Sequence, residues 1–218
     1  MPKHITVENE ETVRVMSGLR SDQKAAPSSG IATFVRDNTN VKDFIVGDIP
    51  VEWKAFQASL RGLVLGSSVT SIGVDAFYDC EGFTGSLTIP DSVTTIGSYA
   101  FYRCSGFTGS LTIGNSVTTI GSASFEYCEG FTGSLTIPDS VTSIGSIAFY
   151  RCSGLDTMYA GFDFSAFTGS NSLQDSGITQ IYVNPSALGW TLGSDQTIQG
   201  KSGITVSNWD NYPDPIPN

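Results

Sequence analysis

The stretch "RCSGFTGSLTIGNSVTTIGS", residues 103–122, carries a single charge, Arg103, with no histidine and no paired carboxylates, yet it recurs almost verbatim on both sides of itself. Leu63, Leu87, Leu111 and Leu135 lie 24 residues apart, and so do Ile72, Ile96, Ile120 and Ile144. Phe77, Phe101, Phe125 and Phe149 follow the same step, as do Cys80, Cys104, Cys128 and Cys152. Four units with no insertion between them therefore cover residues 63–158. A fixed period of this size marks a repeat architecture, in which one unit is too small to bury its own apolar face and stacked units bury it together.

The spacing within a unit predicts its local structure. Leu87 and Ile89 alternate with Ser86 and Thr88 in period two, the pattern of a short strand with one face buried. Pro90-Asp91-Ser92 then turns the chain, proline presetting φ and aspartate able to bond its own backbone two residues on. Gly114-Asn115 takes that place in the next unit and Gly66-Ser67 in the first. Val93 and Ile96 flank a second extended segment ending at Gly97. Ala100, Phe101 and Cys104 predict a single helical turn with these three inside and Tyr102 and Arg103 outside. Stacked in register at about 4.8 Å per strand, the four units make a solenoid on the order of 20 Å long, with short parallel strands and about 24 residues per coil.

Composition agrees with a turn-rich β architecture. The chain has 24 glycines among 218 residues, only 15% charged residues, and 39% hydrophobic ones, enough for a continuous core. Its net charge of −10 leaves no basic stripe to displace the counterions of a phosphate backbone, so nucleic acid is excluded as the expected partner. No segment approaches the roughly 20 apolar residues of a membrane span. Residues 1–30 hold no apolar run of the kind that a secretory signal peptide needs, so no signal peptide is expected in this chain.

The unit "SLTIPDSVTTIGSYAFYRCSGF" resembles the BspA-type leucine-rich repeat, whose pattern runs roughly L-x-x-I-x-I-P-x-S-V-x-x-I-G-x-x-A-F-x-x-C-x-x-L. The resemblance covers residues 63–158 and is carried by the Val, Ile-Gly, Ala-Phe and Cys positions. It implies a right-handed leucine-rich-repeat solenoid used for protein or surface binding, often in secreted adhesins, with no catalytic residues. The chain departs from the family pattern at Phe83-Thr84-Gly85-Ser86-Leu87, one residue longer than the usual step, and Gly85, Gly109 and Gly133 are expected to absorb that residue as a bulge or tight bend.

The flanks divide the chain further. Residues 1–40 are a nonrepetitive arm containing Val13, Val15, Met16, Leu19, Ile31 and Phe34. Residues 41–62 read as a degraded capping coil, with Phe44 to Val46 at the strand position and Ala55-Phe56 with Ser59 copying Ala76-Phe77 with Cys80. Met158-Tyr159-Ala160 is expected to be the last strand of the regular series, and residues 159–218 form a C-terminal cap, in which "GITQIYVNPSALGW" supplies another strand and turn and Trp190 and Trp209 are available to cover the open core. The chain ends in an extended Pro-rich tail.

Little in the repeats is equipped for chemistry. The cysteine column reads as reduced, buried small hydrophobes, and a line of sulfurs is not a tetrahedral zinc cage, so no metal and no cofactor is expected. His4 is the sole histidine, far from any nucleophile it could activate. Carboxylates at Asp75, Asp79, Glu81, Asp91, Glu126, Glu129, Asp139 and Asp156 outnumber Arg103 and Arg151 and read as solvated charges. Two outward columns are the candidate contact surface. One is a hydroxyl ladder of Ser86, Thr88, Ser110, Thr112, Ser134 and Thr136 on the strand face; the other is an aromatic column of Tyr78, Tyr102 and Tyr150, broken by Glu126, with Tyr127 one place along.

The expected function is non-enzymatic recognition or adhesion, the solenoid presenting one of these ladders to a protein partner or to a host or neighbouring surface, glycan included. The alternative is a structural component of a phage virion, such as a tail, neck or capsid-decorating protein, docked to a larger assembly through residues 1–40 and 190–218. Either places the chain on a cell or virion surface.

Overall fold

The computed structural model describes the backbone of four strands, β1 (His4–Asn9), β2 (Thr12–Met16), β3 (Gly30–Phe34) and β4 (Leu60–Leu65), and residues 69–209 throughout. These four strands form one sheet in the order β1-β2-β3-β4, antiparallel between β1 and β2 and parallel thereafter. The expected strand at Phe44 to Val46, the Ala55-Phe56 copy, the Gly66-Ser67 turn and the Pro-rich tail beyond Trp209 lie outside the described residues.

From Val69 onward the chain winds as a solenoid of about 24 residues per turn. Each regular coil gives one short strand to each of two parallel sheets. The segments are β5 (Ser71–Ile72), β6 (Leu87–Thr88), β7 (Thr95–Ile96), β8 (Leu111–Thr112), β9 (Thr119–Ile120), β10 (Gly133–Ile137) and β11 (Ser143–Ile144). The odd-numbered members β5, β7, β9 and β11 form one sheet, with Ile72, Ile96, Ile120 and Ile144 in register. The even-numbered ones continue into β12 (Leu155–Ala160), β13 (Gln180–Val183), β14 (Gly193–Ile198) and β15 (Lys201–Asn208), giving a seven-stranded sheet ordered β6-β8-β10-β12-β13-β15-β14.

The columns read from the sequence are the core. Leu87, Val93, Ile96, Ala100, Phe101, Cys104 and Phe107 are each fully buried, as are their counterparts one and two coils on, with Ser124 replacing alanine in the third coil. Phe77, Phe101, Phe125 and Phe149 stack face to face at centroid spacings of 5.0 to 5.4 Å, and Phe83, Phe107 and Phe131 make a second stack. Glycine is required where coils touch through bare backbone: a Cβ on Gly97 would lie 2.6 Å from the carbonyl carbon of Gly73.

The predicted single helical turn is replaced by another device. Residues 98–103 form linked reverse turns, with Ala100, Tyr102 and Cys104 donating to the carbonyls of Gly97, Tyr99 and Phe101 three residues back. The amides between them leave the coil: Tyr99, Phe101 and Arg103 donate to Ser122, Ser124 and Glu126 of the next. Tyr99 and Arg103 are left-handed, at φ 57° and 56°, and the same two positions are left-handed in every coil from Asp75 to Asp175. A helix would aim every N–H along its own axis. Left-handed residues turn alternate amides toward the neighbouring coil, and the inter-coil bond offsets their backbone cost.

The longer step resolves in two ways. Gly85 and Gly133 are left-handed at φ 79° and 76°, and the register slips by one residue at Gly133 where β10 meets β12. Gly109 is not left-handed; a Cβ there would collide with the hydroxyl of Ser86.

At the C-terminal end the parallel sheet gives way to the antiparallel β14–β15 hairpin, which buries Ile198, Ile204 and Val206. Trp190 packs on Phe162, Phe164 and Phe167, and its Nε1 donates to the Phe162 carbonyl at 2.9 Å. Trp209 does not cover the core. It lies 5.4 Å from the ring of Tyr159, whose register with Thr136 and Tyr182 sets it on the outward side of the sheet.

Candidate interaction surface

The two predicted ladders differ in how far their polar groups are used within the fold. On the seven-stranded sheet Ser86, Thr88, Ser110 and Thr112 are exposed, while Ser134 and Thr136 are half-buried. The serine row is partly consumed within the fold: the Ser110 amide and hydroxyl both bond the Ser86 hydroxyl, at 3.1 and 3.3 Å. Thr88, Thr112 and Thr136 stand in register as the outward row.

Other hydroxyls, which sequence reasoning did not separate from these, are staples between coils. Thr94, Thr118 and Thr142 donate to the carbonyls of Thr70, Thr94 and Thr118, and Ser92 and Ser140 donate at 2.7 Å to Val69 and Val117. The cysteines serve the same purpose inside. Cys104, Cys128 and Cys152 donate at 3.0 to 3.1 Å to the carbonyls of Phe77, Phe101 and Phe125 in the preceding coil. All four are free, buried thiols, and burial raises their pKa, which disfavours the thiolate that a nucleophile needs. Among the described residues no group of three or more His, Cys, Asp or Glu is placed to hold a metal ion, and no helix is long and apolar enough to cross a membrane.

The tyrosine column becomes a continuous strip on the turn face. Tyr78 and Tyr102 stack at 4.7 Å; Tyr127 then meets Tyr102 and Tyr150 edge-on, at 5.8 and 5.6 Å. Tyr127 belongs to the neighbouring column, the left-handed one that runs Asp79, Arg103, Tyr127, Arg151, Asp175. Its ring lies between two guanidiniums, Arg103 at 5.6 Å and Arg151 at 5.4 Å, which also face Tyr102 at 5.3 Å and Tyr150 at 5.5 Å. Glu126, at the tyrosine position of that coil, is buried rather than solvated as its outward position predicts; burial raises its pKa and the Arg103 charge lowers it in part. Tyr99, 40% exposed, extends the aromatic surface edge-on to Tyr102.

Arg103 and Arg151 were not singled out from sequence. The signal available was that the four regular units contain only these two cations, each one residue after a tyrosine.

The strip combines the side chains most enriched at protein contacts, tyrosine and arginine, on a face whose backbone is pinned to the coils on either side. The comparisons with known proteins agree with the architecture. The family profile described as the BspA type leucine-rich repeat region matches residues 51–179 in six copies, extending the four regular units at both ends. No curated protein and no solved structure matches the chain. A leucine-rich-repeat solenoid is typically a non-enzymatic binding scaffold, and domains of this kind generally mediate protein interactions. With more than half of its length matched, the chain belongs to the BspA-type leucine-rich repeat family.

Proposed function

We propose that the protein is a non-enzymatic recognition module that binds protein on another surface, in the manner of an adhesin, through the strip formed by Tyr78, Tyr102, Tyr127, Tyr150, Arg103 and Arg151. The observation that carries this reading is the strip itself: four tyrosines and two arginines in unbroken ring contact on a rigid face. Tyrosine contributes a large contact area at small entropic cost, and arginine adds directional donors, so little freedom is lost on binding. The outward threonines support the strand face less strongly, because short hydroxyls also suit a solvated strand.

The test uses arrays of serum and matrix glycoproteins beside a glycan array, probed with the full chain. Binding to protein features is expected to fall at least about tenfold in Tyr102→Ser/Tyr150→Ser and to survive in Thr88→Val/Thr112→Val, with circular dichroism unchanged in both. Loss of binding only in the threonine variant, or binding confined to glycans, would move the contact surface to the strands.

A further inference from the structure

The left-handed column reads Asp79, Arg103, Tyr127, Arg151, Asp175 in successive coils, a sequence of charge that is negative, positive, neutral, positive, negative. A second copy related by a two-fold axis lying in the contact plane, across the solenoid, meets this column with its own in reverse order. Without an offset the arrangement is repulsive, since Arg103 would face Arg151 and Asp79 would face Asp175. An offset of one coil converts it. Asp79 then faces Arg151 of the second copy, Arg103 faces the second copy's Tyr127, and each contact occurs twice by symmetry. In the adjoining column the same operation places Tyr78 opposite Tyr150 of the second copy, ring against ring.

The opposite one-coil offset would set Arg103 against the second copy's Asp175. That offset leaves Asp79, which makes no ion pair among the described residues, with no opposite number, and either offset draws equally on one member of the exposed Arg151–Asp175 pair, 3.8 Å apart. The first register is therefore the favoured one, and it pairs the first regular coil with the fourth and the second with the third.

Resting on the strip being a contact surface, we propose that its occupant is a second copy of this chain, bound antiparallel with a one-coil offset. Four coils at about 4.8 Å each make the contact about 20 Å long. Such a strip buries on the order of 300 Å² per copy, well below the roughly 800 Å² of a standard stable interface. The pair is accordingly weak in dilute solution and gains strength where many copies are displayed together, by avidity.

Sedimentation equilibrium of the full chain from about 10 µM to about 1 mM tests the pairing at the concentrations where a weak dimer forms. The weight-average mass should rise with concentration from 23.1 kDa toward twice that value. Asp79→Arg and Arg151→Asp should each hold the mass at the monomer value, and the double variant should associate again. Both substitutions are compatible with the fold, because arginine and aspartate already occupy this left-handed position in other coils. Asp175→Asn should associate like the unmodified chain, since Asp175 has no opposite number in the chosen register; its loss of association would overturn that register. A chain that stays monomeric throughout, or an Arg151→Asp variant that still associates, overturns the proposal. If the chain is monomeric while Tyr102→Ser/Tyr150→Ser still loses array binding, the strip recognises a different protein and only the self-pairing fails.

Discussion

Replacing Phe101 by alanine removes the middle of the longest aromatic stack. Its ring is fully buried and lies 5.0 Å from Phe77 at an interplanar angle of 15° and 5.2 Å from Phe125 at 6°. Phe→Ala in a core costs about 3–5 kcal/mol, the spread reflecting how far the surroundings collapse into the gap. Collapse is opposed here because each neighbouring ring belongs to a coil fixed by backbone bonds: the Phe77 amide donates to Ala100 and the Phe101 amide to Ser124, both at 2.7 Å. The expected loss is therefore in the upper part of the range, about 4–5 kcal/mol. Phe101→Leu keeps most of the volume and should lose about 1–2 kcal/mol. Urea unfolding followed by circular dichroism measures both differences, with coincidence of a second probe checking that the coils still unfold together. A loss below about 1 kcal/mol for Phe101→Ala would refute the view that stacked rings in register hold the coils together.

Gly97→Ala should cost about 2 kcal/mol or more, or shift the coil spacing, because the new Cβ would lie 2.6 Å from backbone carbon on Gly73; an unfolding midpoint like that of the unmodified chain would contradict this contact. The buried thiols make the fold alkali-sensitive. Their pKa is raised in the folded state, so above about pH 8.5 the unfolded chain releases protons that the native chain retains, and stability should fall by about 1.4 kcal/mol per pH unit for each thiol. Urea titrations between about pH 8 and pH 10 should show this slope shrinking as cysteines are replaced by alanine, while a thiol reagent leaves the native protein unmodified. Glu126 has the same sign: its raised pKa means that the carboxylate destabilises the fold above its ordinary titration and that protonation relieves the cost. Glu126→Gln should therefore raise the unfolding midpoint at neutral pH, and the advantage should vanish below about pH 4.

The solenoid was legible because its core is made of columns. A residue that recurs every 24 positions with unchanged size, such as Phe101 or Ile120, can only be stacking on its own copy one coil away. The turn between Gly97 and Cys104 differs from the helical turn that its spacing predicts for a definite reason. Apolar residues at i, i+1 and i+4 fit a helical turn and this chain of reverse turns equally well, and the deciding left-handed φ falls in this coil on Tyr99 and Arg103, whose types do not announce it, although Asp75, Asp79, Asn171 and Asp175 at the same positions in the first and last coils are of the types that tolerate it. The contact surface was half legible. Tyrosine recurrence marked the face, but Tyr127 in the third coil was legible only as a misplaced member, and its position between two guanidiniums depends on a neighbouring column that periodicity alone does not bring into view.

What the sequence alone determined is the period and the identity of every inward column, both properties of residue type at fixed spacing. Tertiary structure decided which outward groups are already occupied. Serine and threonine look alike in a repeat, yet Ser86, Thr94 and Thr118 are used to tie one coil to the next, while Thr88 and Thr112 face outward. The same holds for the charged strip. Arg103 and Arg151 are two coils apart in sequence and act on one ring, because a hydrogen-bonded stack brings residues 24 apart to within side-chain reach.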